Sequence, residues 1–307
     1  MGLEGTRGIA SLEHTRRRLQ ARATPFLLLL PALALIVAVA GFPLVGAARI
    51  SLLQLRINTP ERFVGLANYR QLLSDPDVLQ SLGLTAVFVL GSVTAAMILA
   101  YLLALLLYQD FPGRRVVRTV VLIPWALAPV VNGIMWKSMY APNFGPLNDV
   151  LNRLGILSQS VSWLVDYPMA SLILAYVWKV LPFPTLIILA GLEGIPRELY
   201  EAAEVDGAGS LTRFRRITLP LQRTVTLLTL ILMLVDALHA FAVVDILTRG
   251  GPADRTMVLN YAIFRTAFRY LDFGYGAAMA FALTALVLVL TFVYLRAQSE
   301  AALATGQ

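Results

Sequence analysis

The sequence predicts an all-α membrane protein with six transmembrane helices, both termini on the cytoplasmic side, and a helix–turn–helix elbow between spans four and five. Three observations predict this fold. Of the 307 residues, 58% are hydrophobic and only 14% are charged, where a soluble domain carries about 25% charged residues. Six apolar stretches are each long enough to cross the hydrocarbon core, which takes about 20 residues as a helix. Arginines are denser in the segments on one side of those stretches than on the other.

Residues 1–24 form a polar, basic tail that includes Arg7, Arg16, Arg17, Arg18 and Arg22. The apolar run Pro25–Ala48 exceeds a signal-peptide core and lacks a small-x-small cleavage site, so it is read as an uncleaved first span. Spans two to six follow at Leu82–Tyr108, Val116–Trp136, Met169–Gly191, Val225–Val244 and Tyr275–Leu295. In lipid, each satisfies its backbone hydrogen bonds only as a helix. Residues 25–295 therefore form one membrane domain, and 296–307 a short second tail.

An even number of spans places both termini on one side. That side holds 14 basic residues: those of the first tail, Arg114, Arg115 and Arg118 after span two, Arg197, Arg213, Arg215, Arg216 and Arg223 after span four, and Arg296. The opposite side holds ten in longer loops. The density of positive charge assigns the first side to the cytoplasm. The longer loops carry turn chemistry, such as Asn58-Thr59-Pro60 and Gly250-Gly251-Pro252, and room for a short interfacial helix at Leu147–Leu154.

The net charge of +7 comes almost entirely from arginine, Lys137 and Lys179 being the only lysines. It fits arginines flanking spans and touching lipid headgroups. No basic stripe with interleaved aromatics points to nucleic acid. With no cysteine and two histidines, no disulfide, thiolate site or His/Cys metal set is expected.

Between spans four and five lies Glu201–Pro220, EAAEVDGAGSLTRFRRITLP. Pro196 is read as a first-turn helix residue, with Glu198 complementing the positive helix end. Leu199, Ala202, Ala203 and Val205 give that helix small and apolar contacts. Asp206-Gly207 ends it, because glycine tolerates the left-handed backbone of a helix exit. A basic segment runs from Leu211 to Ile217, and Pro220 opens the approach to span five. An acidic first half and a basic second half suit docking into a complementary cleft.

These residues carry a resemblance. Glu201, Ala202, Ala203, then Asp206, Gly207, Ala208, then Phe214, Ile217, Leu219 and Pro220 stand at the spacing of the EAA loop of permeases in binding-protein-dependent ABC importers. Similarity extends over roughly residues 25–295. It includes Gly65-Leu66-Ala67-Asn68-Tyr69, Gly145-Pro146-Leu147-Asn148, Trp163-Leu164, Phe183-Pro184 and Gly250-Gly251-Pro252. The chain resembles the carbohydrate branch, with its maltose, glycerol-phosphate and trehalose systems, and among these is similar to the trehalose permeases of mycobacteria.

The resemblance implies a multi-pass permease of a bacterial plasma membrane that imports a sugar, a disaccharide such as trehalose. It implies three protein partners: a separate ATPase gripped through residues 196–220, a second homologous permease, and an extracytoplasmic substrate-binding protein. The chain has no phosphate loop G-x-x-x-x-G-K-[ST] and no HExxH or GxSxG set. It is therefore read as a transport subunit without cofactor, not an enzyme.

A charge inside a span costs about 2.5–3.5 kcal/mol on insertion scales, so its position is informative. Lys179 lies ten residues past Met169, and Asp236 eleven past Val225. At about 1.5 Å per residue both fall near mid-membrane. Lys179 and Asp236 are expected to approach one another and line the pathway, either paired or binding sugar hydroxyls. His239 is three residues from Asp236 and shares its helix face. Tyr176 and Trp178 flank Lys179 and offer rings to stack on a sugar, or simply pack. Pro182 and Pro184 should kink span four just beyond. The competing reading is an ion-coupled secondary transporter that uses Lys179 and Asp236 as coupling groups. It leaves the elbow unexplained and predicts an inverted repeat that the sequence does not display.

Overall fold

The computed structural model describes residues 29–304, with side chains through residue 296. The basic tail at 1–24, the first residues of the first expected span and residues 305–307 lie outside the described residues. In chain order the helices are α1 (Leu29–Ser51), α2 (Ala67–Ser74), α3 (Pro76–Tyr108), α4 (Arg114–Ala126) and α5 (Pro129–Met139). Next come α6 (Pro146–Arg153), α7 (Pro168–Val180), α8 (Pro182–Glu193), α9 (Arg197–Val205) and α10 (Ser210–Leu221). The last four are α11 (Arg223–Leu238), α12 (Ala242–Leu247), α13 (Leu259–Phe264) and α14 (Phe273–Ala304). Two short strands, β1 (Leu53–Gln54) and β2 (Arg62–Phe63), pair antiparallel, so the all-α expectation misses a small ribbon after the first helix.

Three helices are long and apolar enough to cross a membrane: α1, α3 and the Phe273–Arg296 part of α14. The pairs α4–α5, α7–α8 and α10–α11 pass the same test together but bend by 97°, 47° and 72°. Proline explains two of the bends. Ala128 precedes Pro129 and is forced out of the helical region, to ψ 141°. The expected continuous span Val116–Trp136 is therefore broken at Leu127 and Ala128. Pro182 and Pro184 break span four after Val180, as their positions predict. The fifth expected span also ends early. Its helix stops at Leu238, and the chain resumes as α12 only at Ala242.

Helix α3 is the axis of the bundle and packs against α7, α8 and α11. Its Ser92, Ala96, Ala100 and Ala104 are all fully buried. The four-residue spacing sets them on one face, where small side chains let backbones approach closely. Ile188, Leu189 and Leu192 of α8 fill the space they leave. Helix α1 packs on α14 and otherwise turns its apolar side chains outward, Phe42 being 81% exposed.

At the end of the bundle away from the elbow, two asparagines organise the loops. Asn68 donates from Nδ2 to the carbonyls of Ser51 and Leu53 at 2.8 and 2.9 Å. Asn148, on α6, donates to Pro142 O and Val161 O and accepts from Val161 N and from Trp163 Nε1, the last at 2.8 Å.

Candidate functional site

Two regions bring the singled-out residues together: the elbow and a cleft beside the bends. In the elbow, Pro196 occupies the N-cap, with ψ 131°, rather than the first helical turn expected of it. The exit of α9 follows from its sequence. Gly207 has φ +75°. Its N–H donates to Glu204 O at 3.0 Å, and Ala208 N–H donates to Ala203 O at 2.8 Å. This nested pair is the Schellman exit, in which glycine supplies the left-handed residue. It explains in physical terms why Asp206-Gly207-Ala208 follows Glu201-Ala202-Ala203 at this distance.

The chain then doubles back along α10, and Arg213 Nη1 reaches Glu204 Oε2 at 3.1 Å to tie the two arms. The root is held from inside. Phe214 meets Tyr101 of α3 edge to face at 6.0 Å. Tyr200 and Thr218 share a hydroxyl hydrogen bond of 2.9 Å. The outer surface is left open. Glu201, Ala202 and Asp206 are exposed, and Val205 is 89% exposed despite being apolar. A groove of about 470 Å³ beside it is lined by Tyr108, Arg197, Glu201, Glu204, Arg213 and Phe214. Pro220 sits exposed in the last turn of α10, ahead of the bend at Gln222.

The second region is a cleft of about 690 Å³ between α7–α8 and α11, whose walls include Trp125, Lys179, Phe183, Asp236 and His239. A recess of about 300 Å³ shares Lys179, Asp236 and His239 and adds Asn132 and Tyr176. Both volumes lie within the range of small-molecule sites, about 300–1,000 Å³. Tyr176 donates to Asp236 Oδ2 at 2.6 Å. Trp125 stacks on Phe183 at 6.2 Å with an interplanar angle of 18°. Asn132 donates from Nδ2 to Ala175 O at 3.4 Å, while its Oδ1 is buried without a partner.

Residues 92–299 match the family described as binding-protein-dependent transport system inner membrane component. The chain belongs to that family. The permease is 38% identical over 275 residues to the trehalose/maltose transport system permease protein MalF of Thermococcus litoralis, covering 88% of this chain and 92% of that one. It is 36% identical over 279 residues to the sulfoquinovosyl glycerol transport system permease protein SmoG of Agrobacterium fabrum, covering 90% of each. It is 37% identical over 232 residues to the sn-glycerol-3-phosphate transport system permease protein UgpA of the same organism, covering 75% and 78%. Among solved structures, a chain of a bacterial alginate ABC transporter bound to an alginate-loaded periplasmic protein superposes with a TM-score of 0.75 at 20% identity, over 90% of this chain and 94% of that one. That likeness shows the fold. By its family and relatives the permease is a multi-pass inner-membrane component of a transport system.

Within the permease, Tyr176, Lys179, Asp236 and His239 all line one recess. The direct pairing does not form. Among the ion pairs of the described residues none joins Lys179 to Asp236, and Tyr176 takes the carboxylate instead. His239 does not continue the helical face of Asp236. It caps α11 with φ −97° and sits near Val235 O through Nδ1 at 2.8 Å, yet still faces the recess. Trp178 packs edge-on against Trp136 at 6.0 Å and is no part of the cleft wall. The reading from sequence missed Trp125 and Asn132. Their signal was present: both lie within a few residues of Pro124 and Pro129, where a helix inside lipid is apt to open.

Proposed function

We propose that this chain is the permease subunit of an ATP-driven sugar importer, moving a disaccharide such as trehalose through a pathway shared with a second homologous permease. Its elbow at 196–220 faces the cytoplasm and docks on a separate ATPase. An extracytoplasmic binding protein delivers the solute. On this reading residues 25–295 form six spans between cytoplasmic tails at 1–24 and 296–307, each bent pair counting as one crossing.

The observation that carries the reading is the exposed apolar tip of a firmly rooted elbow. Val205 and Leu211, 89% and 60% exposed, stand beside Glu201 and Asp206 on a loop pinned by Phe214, Tyr200 and Thr218. A mechanical handle has this form: fixed at its base, open at its tip, and offering both charge and apolar area to a partner. Nucleotide binding closes the ATPase, the elbow moves with it, and the bends at Ala128, Leu181 and Gln222 give the spans places to reorient.

The cleft supports a polyhydroxylated solute. Lys179 and Asp236 offer a donor and an acceptor, Trp125 and Phe183 offer ring faces, and Asn132 Oδ1 is an acceptor that a solute hydroxyl would satisfy. The names of the relatives support a carbohydrate or its glycerol analogue. The test is uptake into liposomes holding the chain with its ATPase, second permease and binding protein, with trehalose, maltose and glycerol 3-phosphate as probes. Uptake that needs ATP and the binding protein is expected. Uptake driven by an ion gradient without the ATPase would instead establish the secondary-transporter reading.

A further inference from the structure

The root of the elbow is held by a lattice of charge that the function above leaves unused. Glu193, the last residue of α8, lies three residues before Pro196. Its Oε1 accepts from Arg118 Nη2 at 2.6 Å and from Arg114 Nη2 at 3.3 Å. Arg114 Nη1 also binds Asp110 Oδ1 at 2.8 Å, and Arg197 Nη2, in the first turn of the elbow, lies 3.7 Å from Asp110 Oδ2. Both α4 arginines donate in addition to Leu107 O, from Arg114 Nε at 2.6 Å and from Arg118 Nη2 at 3.2 Å. That carbonyl lies in the last turn of α3, where helix carbonyls have no partner of their own.

Single exposed ion pairs hold little. This arrangement differs because one carboxylate is shared by two guanidinium groups that are themselves fixed by a helix-terminal carbonyl. The planar forks then set direction as well as attraction. The lattice joins the end of α3, the start of α4, the end of α8 and the start of α9. Helix α4 runs from this lattice to the cleft. Trp125 is seven residues beyond Arg118, past a tightened turn at Leu122, and it stacks on Phe183 at the cleft wall.

We propose that Glu193 is a positioning residue of the transport cycle: through Arg114 and Arg118 it ties the root of the elbow to α4, so that movement of the elbow displaces Trp125 against Phe183 and gates the cleft. The inference rests on the elbow's reading as the ATPase handle. The lattice serves as the link by which a push at the root reaches a ring seven residues further along α4, and the elbow needs no contact with the solute.

The test uses the complete reconstituted transporter, with ATP hydrolysis and solute uptake read on one preparation. Glu193→Gln keeps the shape and removes the charge. Its expected result is hydrolysis near the parent rate with solute moved per ATP reduced about tenfold, the size of an ordinary coupling between sites. Glu193→Ala, which removes both accepting oxygens, should behave at least as badly. Parallel loss of hydrolysis and uptake, or an unchanged ratio, would overturn the proposal. If Glu193→Gln fails to assemble with its partners, Arg118→Lys decides in the same two readouts, since it keeps the charge and loses the fork; an unchanged ratio there also overturns it. A parent complex without ATP-dependent uptake defeats the elbow's reading itself, and is told apart because the parent, not the variant, is then inactive.

Discussion

The hydroxyl of Tyr176 donates a hydrogen bond of 2.6 Å to Asp236 Oδ2, crossing from α7 to α11. Tyr176 is 5% exposed and meets Phe88 of α3 edge to face at 5.3 Å, so the donor is held in place by packing on its other side. The bond therefore fixes the Asp236 carboxylate on the wall of the recess that Lys179 also lines, and among the described residues no ion pair holds Lys179.

Tyr176→Phe keeps the ring and removes the donor. A hydrogen bond to a charged group contributes about 1.5–3 kcal/mol, so uptake by the reconstituted transporter is expected to fall at least about tenfold. Asp236→Ala should cost less in the Tyr176→Phe background than in the parent, by the share of its effect that runs through this contact. Fully additive losses would show that the bond has no part in transport.

Lys179→Ala and Asp236→Ala, by contrast, should add in their effect on the unfolding midpoint of the solubilised complex, within about 0.5 kcal/mol, as unpaired residues do. A coupling well above that would reveal an ion pair formed in another state of the cycle.

Gly207 holds φ +75° at the exit of α9. A β-branched residue there strains the left-handed backbone by about 1–2 kcal/mol and loosens the Schellman exit. Gly207→Val with Glu201→Gln is expected to lower co-purification of the ATPase and to uncouple hydrolysis from uptake. Normal uptake by the double variant would rule out a coupling role for the elbow.

Gly191 and Gln222 meet where span four gives way to span five. A Cβ on Gly191 would lie 2.5 Å from Gln222 Oε1, and Gln222 is fully buried. Gly191→Ala should destabilise the complex by about 1–3 kcal/mol through overpacking. Gln222→Ala in the same chain should recover part of that loss. Thermal unfolding of the two variants against the parent gives the answer.

Asn148 ties α6 to the loop through Pro142, Val161 and Trp163. Asn148→Ala leaves these backbone groups without their partner, and limited proteolysis should then cut between residues 154 and 162 well before the parent is cut. Equal protection in both proteins would show that the loop is held elsewhere.

Much of this was legible along the chain. Apolar length located the three long helices, and Pro182-Phe183-Pro184 located the bend between α7 and α8. The elbow could be read almost residue by residue, because a Schellman exit and a basic return arm are local structures written in consecutive positions. Pro196 stands one position outside the first turn that the sequence suggests, since an N-cap and a first-turn proline differ chiefly in ψ. The bend at Ala128 was harder to see. Pro129 announces it, but the surrounding run is apolar throughout, and hydropathy does not register direction.

Sequence by itself determined position along each segment: where the apolar stretches lie, where prolines interrupt them, and that Lys179 and Asp236 stand at similar distances from the starts of theirs. Tertiary structure alone decided azimuth, the side of each helix that faces each neighbour. It gave Asp236 to Tyr176 rather than to Lys179, set Trp125 on Phe183, and gathered Arg114, Arg118 and Glu193 at the root of the elbow. The physical reason is that rise along a helix is a fixed length per residue. Rotation about the axis is settled by packing between segments that lie 60 or more residues apart in the chain, as Tyr176 and Asp236 do.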